Sequence, residues 1–391
     1  MTSSINFDIL IDEDNLKQNI VKMSRAIKPQ WEKEIENIKI VNLNGGITNK
    51  LVACFLNQNG LDTSDTLLFR MYGKNTEKFI SRENEISTMQ LMKRHDIGPE
   101  FYCKFLNGIC YEYLPGKIID QKMIFDQEVS RKIAEAVASL HLVNFEAAQA
   151  FKKSEQSPFI FPKIYELLKL LNEDYKTYMP HMTDEFLKTI PSVKTLFEEI
   201  KFLENHLVNY TKQNDSLILF SHNDLLLGNI VYNDSKRSIK FIDYEYGDFN
   251  YQAYDIANHF NEFAGVEEPD YSYFPDKQYQ MRWYIFYFYF IDSIFSYVFI
   301  IILNERLKIY LESFYAKVND YYNEKKLVLD ETKLNQFYIE VNKFTLASHL
   351  MWAIWSLVQA QSSQLEFNFV NYAQIRFDRY FKTKDNLINI A

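Results

Sequence analysis

Residues 221–248 read SHNDLLLGNIVYNDSKRSIKFIDYEYGD, and this stretch decides how the chain is read. It carries His222-x-Asp224-Leu225-x-x-x-Asn229 and, fourteen residues after Asn229, Asp243 at the end of an apolar run. Between them the pattern is that of a hairpin: Ile230-Val-Tyr, a polar turn over Asn233–Ser238, then Ile239–Ile242. The residue types suit one chemistry. A hydroxyl nucleophile needs a carboxylate within hydrogen-bond reach, which Asp224 can supply. Magnesium takes hard oxygen ligands, which the Asp243 carboxylate and the Asn229 amide oxygen offer. A surface hairpin with scattered Asp and Asn is the plain alternative, yet His222, Asp224, Asn229 and Asp243 all fall in register.

Working outward, 391 residues at 47% hydrophobic can bury a large core in one bilobal unit or two domains. A net charge of −9 argues against a nucleic-acid partner, which calls for a basic stripe. A negative field suits a small cationic substrate instead. Cys54, Cys103 and Cys110 have neither CxxC spacing nor an even count, so reduced thiols and a cytoplasmic location are expected. MTSSINFDILIDEDN, at the N-terminus, lacks a basic region and a long apolar core, and no signal peptide is expected.

Upstream, residues 1–37 read as a polar leader with a helix around Leu16–Ala26. IKIVNL and LVACFL are strands flanking a turn, Asn44-Gly45-Gly46-Ile47-Thr48-Asn49-Lys50. Glycines permit close approach to a ligand, and Thr48 and Asn49 add donors, so the turn could cradle phosphates. It is not a Walker A loop, because the GK[ST] ending is missing; a plain hairpin is the alternative. TLLFRMY (66–72) is another strand, and Arg70 embedded in it must face phosphate or a carboxylate. Glu85, in a helix that Gly98-Pro99 ends, is the candidate partner, with Glu83 as its rival. FYCKFLNGICYEYLPG reads as two strands leaving through Leu114-Pro115-Gly116, where the interlobe hinge is placed, with the backbone of Tyr111–Lys117 facing an adenine.

Beyond the hinge the pattern is helical. Gln127–Val143 is amphipathic, with Ile133, Val137, Leu140 and His141 along one side, and His141 reads as a core histidine. Further helices with solvated charged faces follow over 160–212. In YQAYDIANHFNEFAG (251–265), Asp255 and Glu262 are seven apart and so share a helical face, although Asp255 also suits a cap. Trp352, Trp355, Phe367 and Tyr372 fit a core more readily than a site on spacing alone, although aromatic faces also bind ammonium groups.

Taken together, GGITNKL (45–51), HNDLLLGN (222–229), FIDYEY (241–246), YDIANHFNEFAGV (254–266) and ASHLMWAIWSLVQA (347–360) resemble the choline/ethanolamine kinase family, and its ethanolamine kinases in particular. The resemblance runs from about Val41 to Phe381. It implies an α+β, protein-kinase-like bilobal fold. A small N-terminal lobe with an antiparallel sheet (1–116) binds the nucleotide, and a larger, mostly helical lobe (117–391) catalyses and binds substrate. It implies transfer of the ATP γ-phosphoryl group, with Mg2+, to the hydroxyl of ethanolamine, the first step of the CDP-ethanolamine route to phosphatidylethanolamine. On matching positions, Asp224 resembles the base, and Asn229 and Asp243 the catalytic magnesium ligands. Gly45, Gly46, Thr48, Asn49, Lys50, Arg70, Glu85, Tyr111, Glu112 and Tyr113 resemble the nucleotide site. Asp224, Tyr246, Glu262, Trp352, Trp355, Phe367 and Tyr372 resemble the amino-alcohol site. The partners implied are a small amino alcohol and, at most, a second copy in a homodimer, with no nucleic acid and no stable membrane insertion.

Two departures matter. Choline kinases usually carry Gln two residues after the base and aromatics after the pocket glutamate, where this chain has Leu226 and Phe263-Ala264-Gly265-Val266. Ethanolamine kinases share that difference; choline kinase, or a dual choline/ethanolamine kinase, is the runner-up, followed distantly by an aminoglycoside-type phosphotransferase. A catalytically dead scaffold would be expected to lack Asp224, Asn229 or Asp243. The second departure is an insertion, YIFYFYFIDSIFSYVFIIILNE (284–305), between Trp283 and a segment like RLKIYLESFY (306–315). Its A/T-rich codon types make it a candidate retained intron, with a buried helix or membrane anchor as alternatives. Asp292 near the middle of Tyr284–Leu303 makes an anchor costly.

Overall fold

A computed structural model describes residues 5–43, 49–63, 65–73, 80–154, 156–171, 189–266, 268–301, 331–361 and 367–390, with the backbone alone at 146 and 292–301. Gly45, Gly46 and Thr48 lie outside the described residues, as do the last four residues of the 284–305 segment. The chain divides into two compact units. One takes the chain up to Ile118, then Asn229–Tyr246 and Phe367; the other takes Ile119–Gly228, the chain on from Gly247, and Asn368 onward.

The first unit is built on a sheet in which sequence alternation sorts side chains to two faces. Its strands are β1 (Ile5–Phe7), β2 (Ile38–Leu43), β3 (Lys50–Leu56), β4 (Leu67–Met71), β5 (Phe101–Phe105) and β6 (Gly108–Glu112), in the order β1-β5-β6-β4-β3-β2. On β3 and β4, Val52, Cys54, Leu56, Leu67, Phe69 and Met71 join a core closed by Ile20 and Met23 of helix α1 (Leu16–Ile27) and by Trp31. The intervening Ala53, Phe55 and Leu68 pack with Met89 of α2 (Arg82–Arg94). This period of two puts Arg70 on the α2 side of the sheet.

The antiparallel sheet has a parallel edge, because β1 pairs parallel with β5 through Ile5↔Cys103 and Phe7↔Phe105. The leader's polar composition hides an alternation, Phe7, Ile9 and Ile11, which packs on the core. Asn107 locks it in place, accepting from the Ile11 N–H at 3.0 Å and donating to its carbonyl at 2.8 Å. The β5–β6 turn requires glycine at 108, since a Cβ there would stand 2.2 Å from the Arg70 carbonyl oxygen. A second sheet of this unit joins β7 (Lys117–Ile118), β9 (Ile230–Asn233) and β10 (Ser238–Phe241) in the order β10-β9-β7, and β9 and β10 form the expected hairpin, with Ile239 opposite Tyr232 and Phe241 opposite Ile230.

The second unit is organised by a helix with no polar face. Helix α9 (Glu331–Ala360) is buried all round from Val341 to Gln359. Such a helix must lie inside. The helices packed on it include α5 (Ile160–Leu170), α6 (Val193–Gln213), α7 (Gln252–Asn261) and α10 (Phe369–Ile388). Helix α3 (Gln127–Leu142) begins where Asp126 accepts from the Glu128 and Val129 N–H groups at 2.9 and 3.0 Å. It packs along α8 (Lys277–Ile301), whereas α4 (Phe145–Lys153) packs on strand β8 (Ile218–Ser221). Residues 284–301 of the inserted segment continue α8, and Tyr284, Tyr287 and Ile291 are buried. Among the described residues, no helix is long and apolar enough to cross a membrane.

Candidate functional site

The loop from His222 to Gly228 leaves the end of β8, which pairs antiparallel with β11 (Asp248–Tyr251) through Ser221↔Asp248. Its conformation is held by Asp255, at the start of α7. One Asp255 oxygen accepts the His222 N–H at 2.9 Å and the other accepts the Asn223 N–H at 2.8 Å. The His141 Nε2 lies 3.0 Å from the same carboxylate, and its Nδ1 lies 2.7 Å from the Tyr287 hydroxyl. Burial alone would raise the Asp255 pKa, but His141, His222 and the amide donors together hold it below the ordinary value. Asn223 takes the left-handed conformation, φ 66°, and Asn250 Nδ2 donates to its side-chain oxygen at 2.7 Å. The Leu225 carbonyl is 3.1 Å from His259 Nδ1. Asp224 is thus carried on a clamped backbone and is itself only 8% exposed. His141 is the core histidine expected, and Asp255 caps the loop rather than its own helix.

The same unit holds a buried cluster of aromatic and charged side chains. Helix α7 ends at Asn261, and Glu262 follows as the first residue of a 3-10 turn; the two carboxylates serve different partners. Glu262 is 3% exposed, and its Oε1 accepts from Arg376 Nη1 at 2.8 Å. Burial pushes its carboxyl up, and Arg376 pulls it partly back. Arg376 also donates to Ser348 Oγ at 2.9 Å and lies 3.3 Å from the Tyr372 hydroxyl. Ser348 donates in turn to Asn258 Oδ1 at 2.9 Å, which also accepts from Trp352 Nε1 at 2.7 Å. Trp352 and Trp355 meet edge to face, their ring centroids 5.5 Å apart. This brings Glu262, Trp352, Trp355 and Tyr372 together, and Asp224 is close enough to Tyr372 to act on it electrostatically. Tyr246 and Phe367 belong to the first unit.

In the first unit, the side chain of Arg70 meets Glu85, not Glu83, and reaches Asp243 at 2.5 Å. Burial opposes its charge, but Asp243 and its neighbours hold the guanidinium pKa above its ordinary value. Arg82 bonds both Glu85 and Glu245 at 3.0 Å and lies over the Tyr72 ring, 4.0 Å from its centroid. Glu245 is pushed up to about 7 by burial and by Asp243, against the pull of Arg70 and Arg82. The Asn229 carbonyl accepts the Ile242 N–H at 3.0 Å, which sets Asn229 beside Asp243 in the backbone. Asp243 has φ 64°, a left-handed conformation that Asp tolerates. Carboxylate oxygens of Glu85, Asp243 and Glu245 lie within 4.8 Å of one another. Arg70 and Arg82 engage Glu85 and Glu245, so it is the Asp243 carboxylate, with Asn229 next to it, whose hard oxygen chemistry fits a magnesium ion.

Around the expected nucleotide site, the Asn49 side chain accepts from Gly73 N–H at 3.3 Å, and Lys50 is exposed at the start of β3. Tyr111 is buried with its ring 5.9 Å from the Arg70 guanidinium. The Glu112 carboxylate takes Lys93 at 2.8 Å and the Glu100 N–H at 3.0 Å. The N–H groups of Glu112 and Tyr113 bond Glu100 and Thr66 carbonyls at 2.8 and 3.1 Å, so both are used within the sheet. Sequence reasoning missed Arg82, Glu245, Arg376, Ser348 and Asn258. Asp-x-Glu in FIDYEY was a signal for Glu245. Nothing in the local pattern separates Arg376 from a surface arginine on an amphipathic helix.

The profile of the choline/ethanolamine kinase family matches residues 40–381. Ethanolamine kinase 2 of Rattus norvegicus is 35% identical over 97% of this chain and 84% of its own length. Ethanolamine kinase 1 of Homo sapiens is 32% identical over 95% of this chain and 73% of its own. Among solved structures, an ethanolamine kinase of Plasmodium vivax aligns with a TM-score of 0.70 at 25% identity, covering 95% of this chain and 90% of that one.

Proposed function

The chain belongs to the choline/ethanolamine kinase family, and from that premise we propose that it phosphorylates the hydroxyl of ethanolamine with ATP, giving phosphoethanolamine. The observation that carries the substrate class is the buried Glu262, which shares Arg376 with Tyr372 and is linked through Ser348 and Asn258 to Trp352 and its neighbour Trp355. A carboxylate accepts hydrogen bonds from an ammonium, and aromatic faces attract its charge.

In this reading Asp224 accepts the proton of the substrate hydroxyl as that oxygen attacks the γ-phosphorus. Asp255 keeps the Asp224 loop in one conformation, so little reorganisation remains for the reacting step. Asn229 and Asp243 would hold magnesium, which when bound neutralises phosphate charge. Arg70, Glu85, Tyr111, Glu112, Tyr113 and the turn carrying Gly45, Gly46, Thr48, Asn49 and Lys50 are assigned to the nucleotide. Tyr246 and Phe367 are assigned to the amino alcohol. The compartment proposed is the cytoplasm, consistent with three free cysteines, and the assembly at most a homodimer.

A coupled ADP-release assay with Mg·ATP tests this. Ethanolamine is expected to be turned over with a clearly higher kcat/KM than choline. A primary ammonium can donate to Glu262, and beyond Phe263 the stretch Ala264-Gly265-Val266 adds no further aromatic face for a quaternary cation. Equal or better use of choline would overturn the substrate choice.

A further inference from the structure

Arg376 is a cation placed deep in a pocket assigned to a cation, and this calls for a reason. Its side chain is 1% exposed, so its guanidinium stays buried only because partners compensate it. Those partners do more than neutralise it. Nη1 bonds Oε1 of Glu262, and Nη2 bonds Ser348, which bonds Asn258, which fixes the indole N–H of Trp352. One hydrogen-bonded relay therefore runs from the pocket carboxylate to the pocket tryptophan. Glu262 Oε2 accepts no hydrogen bond from the described residues.

Building on the amino-alcohol kinase reading, we propose that Arg376 is the positioning residue of the ammonium pocket. It occupies one oxygen of Glu262, leaves the other for the substrate's N–H donors, and fixes that carboxylate relative to the Trp352 ring. A second effect follows from charge. Burial drives the Glu262 carboxyl toward its neutral form, and Arg376 opposes that drive. The phenols and the imidazole around the pair are held away from neutral pH. Burial holds the phenols of Tyr254, Tyr271 and Tyr372 above their usual range and the His349 imidazole well below its own. Asp224 and Arg379 complete the surrounding charges.

Steady-state kinetics of Arg376→Met and Arg376→Lys, with whichever amino alcohol the wild-type enzyme prefers, test the proposal. Arg376→Met is expected to raise the amino-alcohol KM about tenfold or more, with kcat falling less than about threefold and the ATP KM unmoved. The acid limb of its kcat/KM profile is expected to move to higher pH. Arg376→Lys, which returns a cation to Glu262, is expected to recover part of both changes. An unmoved amino-alcohol KM overturns the proposal. So does a joint fall in kcat, ATP affinity and Tm in both variants, which marks a purely structural ion pair. Wild-type protein that turns over neither ethanolamine nor choline overturns the functional reading and this inference together. Wild-type turnover with an unmoved KM in Arg376→Met overturns this inference alone.

Discussion

Asp255 accepts the main-chain N–H of Asn223 at 2.8 Å, one residue before Asp224, across 32 residues of sequence. Its other oxygen takes the His222 N–H, so a single carboxylate sets the entry into the proposed catalytic loop. Asp255→Asn offers one acceptor oxygen where two are used. It is expected to lower kcat roughly tenfold to a hundredfold, the scale on which small misplacements of a reacting group act. Unfolding stability is expected to fall by about 1–3 kcal/mol, because a buried N–H loses its partner. Kinetics and thermal melts of the variant check both. A wild-type kcat would show that the loop keeps its shape unaided.

Asp224→Asn is expected to bind ATP normally and lose roughly two to four orders of magnitude in turnover, the range for removing a general base. Asp243→Asn is expected instead to weaken Mg·ATP, because it removes a formal charge from the donor set. Titrations of ATP with and without magnesium, beside turnover, separate the two. Near-normal turnover of the Asp224 variant would remove it from the role of base.

Glu262→Gln keeps the shape of the pocket and removes its negative charge. Ethanolamine use is expected to fall more than residual choline use, because the ammonium N–H groups need a close acceptor. The variant also leaves the buried Arg376 without its carboxylate, so a lower Tm should accompany the kinetic loss. Parallel losses for both amino alcohols would place Glu262 outside the ammonium contact.

Glu340, buried within α9, is pushed up to about 7 by desolvation, against the pull of Ser216 and Lys152. The folded protein therefore holds this proton at a pH where an unfolded glutamate, near 4.3, has released it. Stability is lost as pH rises through that window and stays lower above it. Glu340→Gln is expected to be more stable than wild type at pH 8 by roughly 1–3 kcal/mol, with the difference vanishing near pH 4. Chemical denaturation at the two pH values measures this. An equal difference at both would exclude the carboxyl's titration as the cause.

The retained-intron reading expects the dominant mature transcript to lack the codons for 284–305, and sequencing that transcript decides it. A message that carries them makes Tyr287 a working core residue. Its hydroxyl meets His141 Nδ1 at 2.7 Å and accepts from Gln252 Nε2 at 2.6 Å. Tyr287→Phe in that protein is expected to cost about 1–2 kcal/mol of stability, measured by urea denaturation.

The sequence by itself determined whatever is local in physical origin. Alternation on LVACFL and TLLFRMY fixed which side chains share a sheet face, and so put Arg70 on the side that α2 covers. The spacing of His222, Asp224, Asn229 and Asp243 fixed a loop and a hairpin, because turn and strand patterns are legible over a few residues. Tertiary structure alone decided which distant groups satisfy one another. Whether Asp255 would cap its own helix or hold the loop before Asp224 depends on where β8 lies against α7. That Glu262 falls just past a helix end and meets Arg376, 114 residues on, depends on packing around α9. Arg376 reads locally as an ordinary charged residue on a polar position, and Asp-x-Glu in FIDYEY marks Glu245 without showing the partners of either. Burial among partners far along the chain is what gives them a role, since a charge removed from water must find its counterpart wherever the fold brings one.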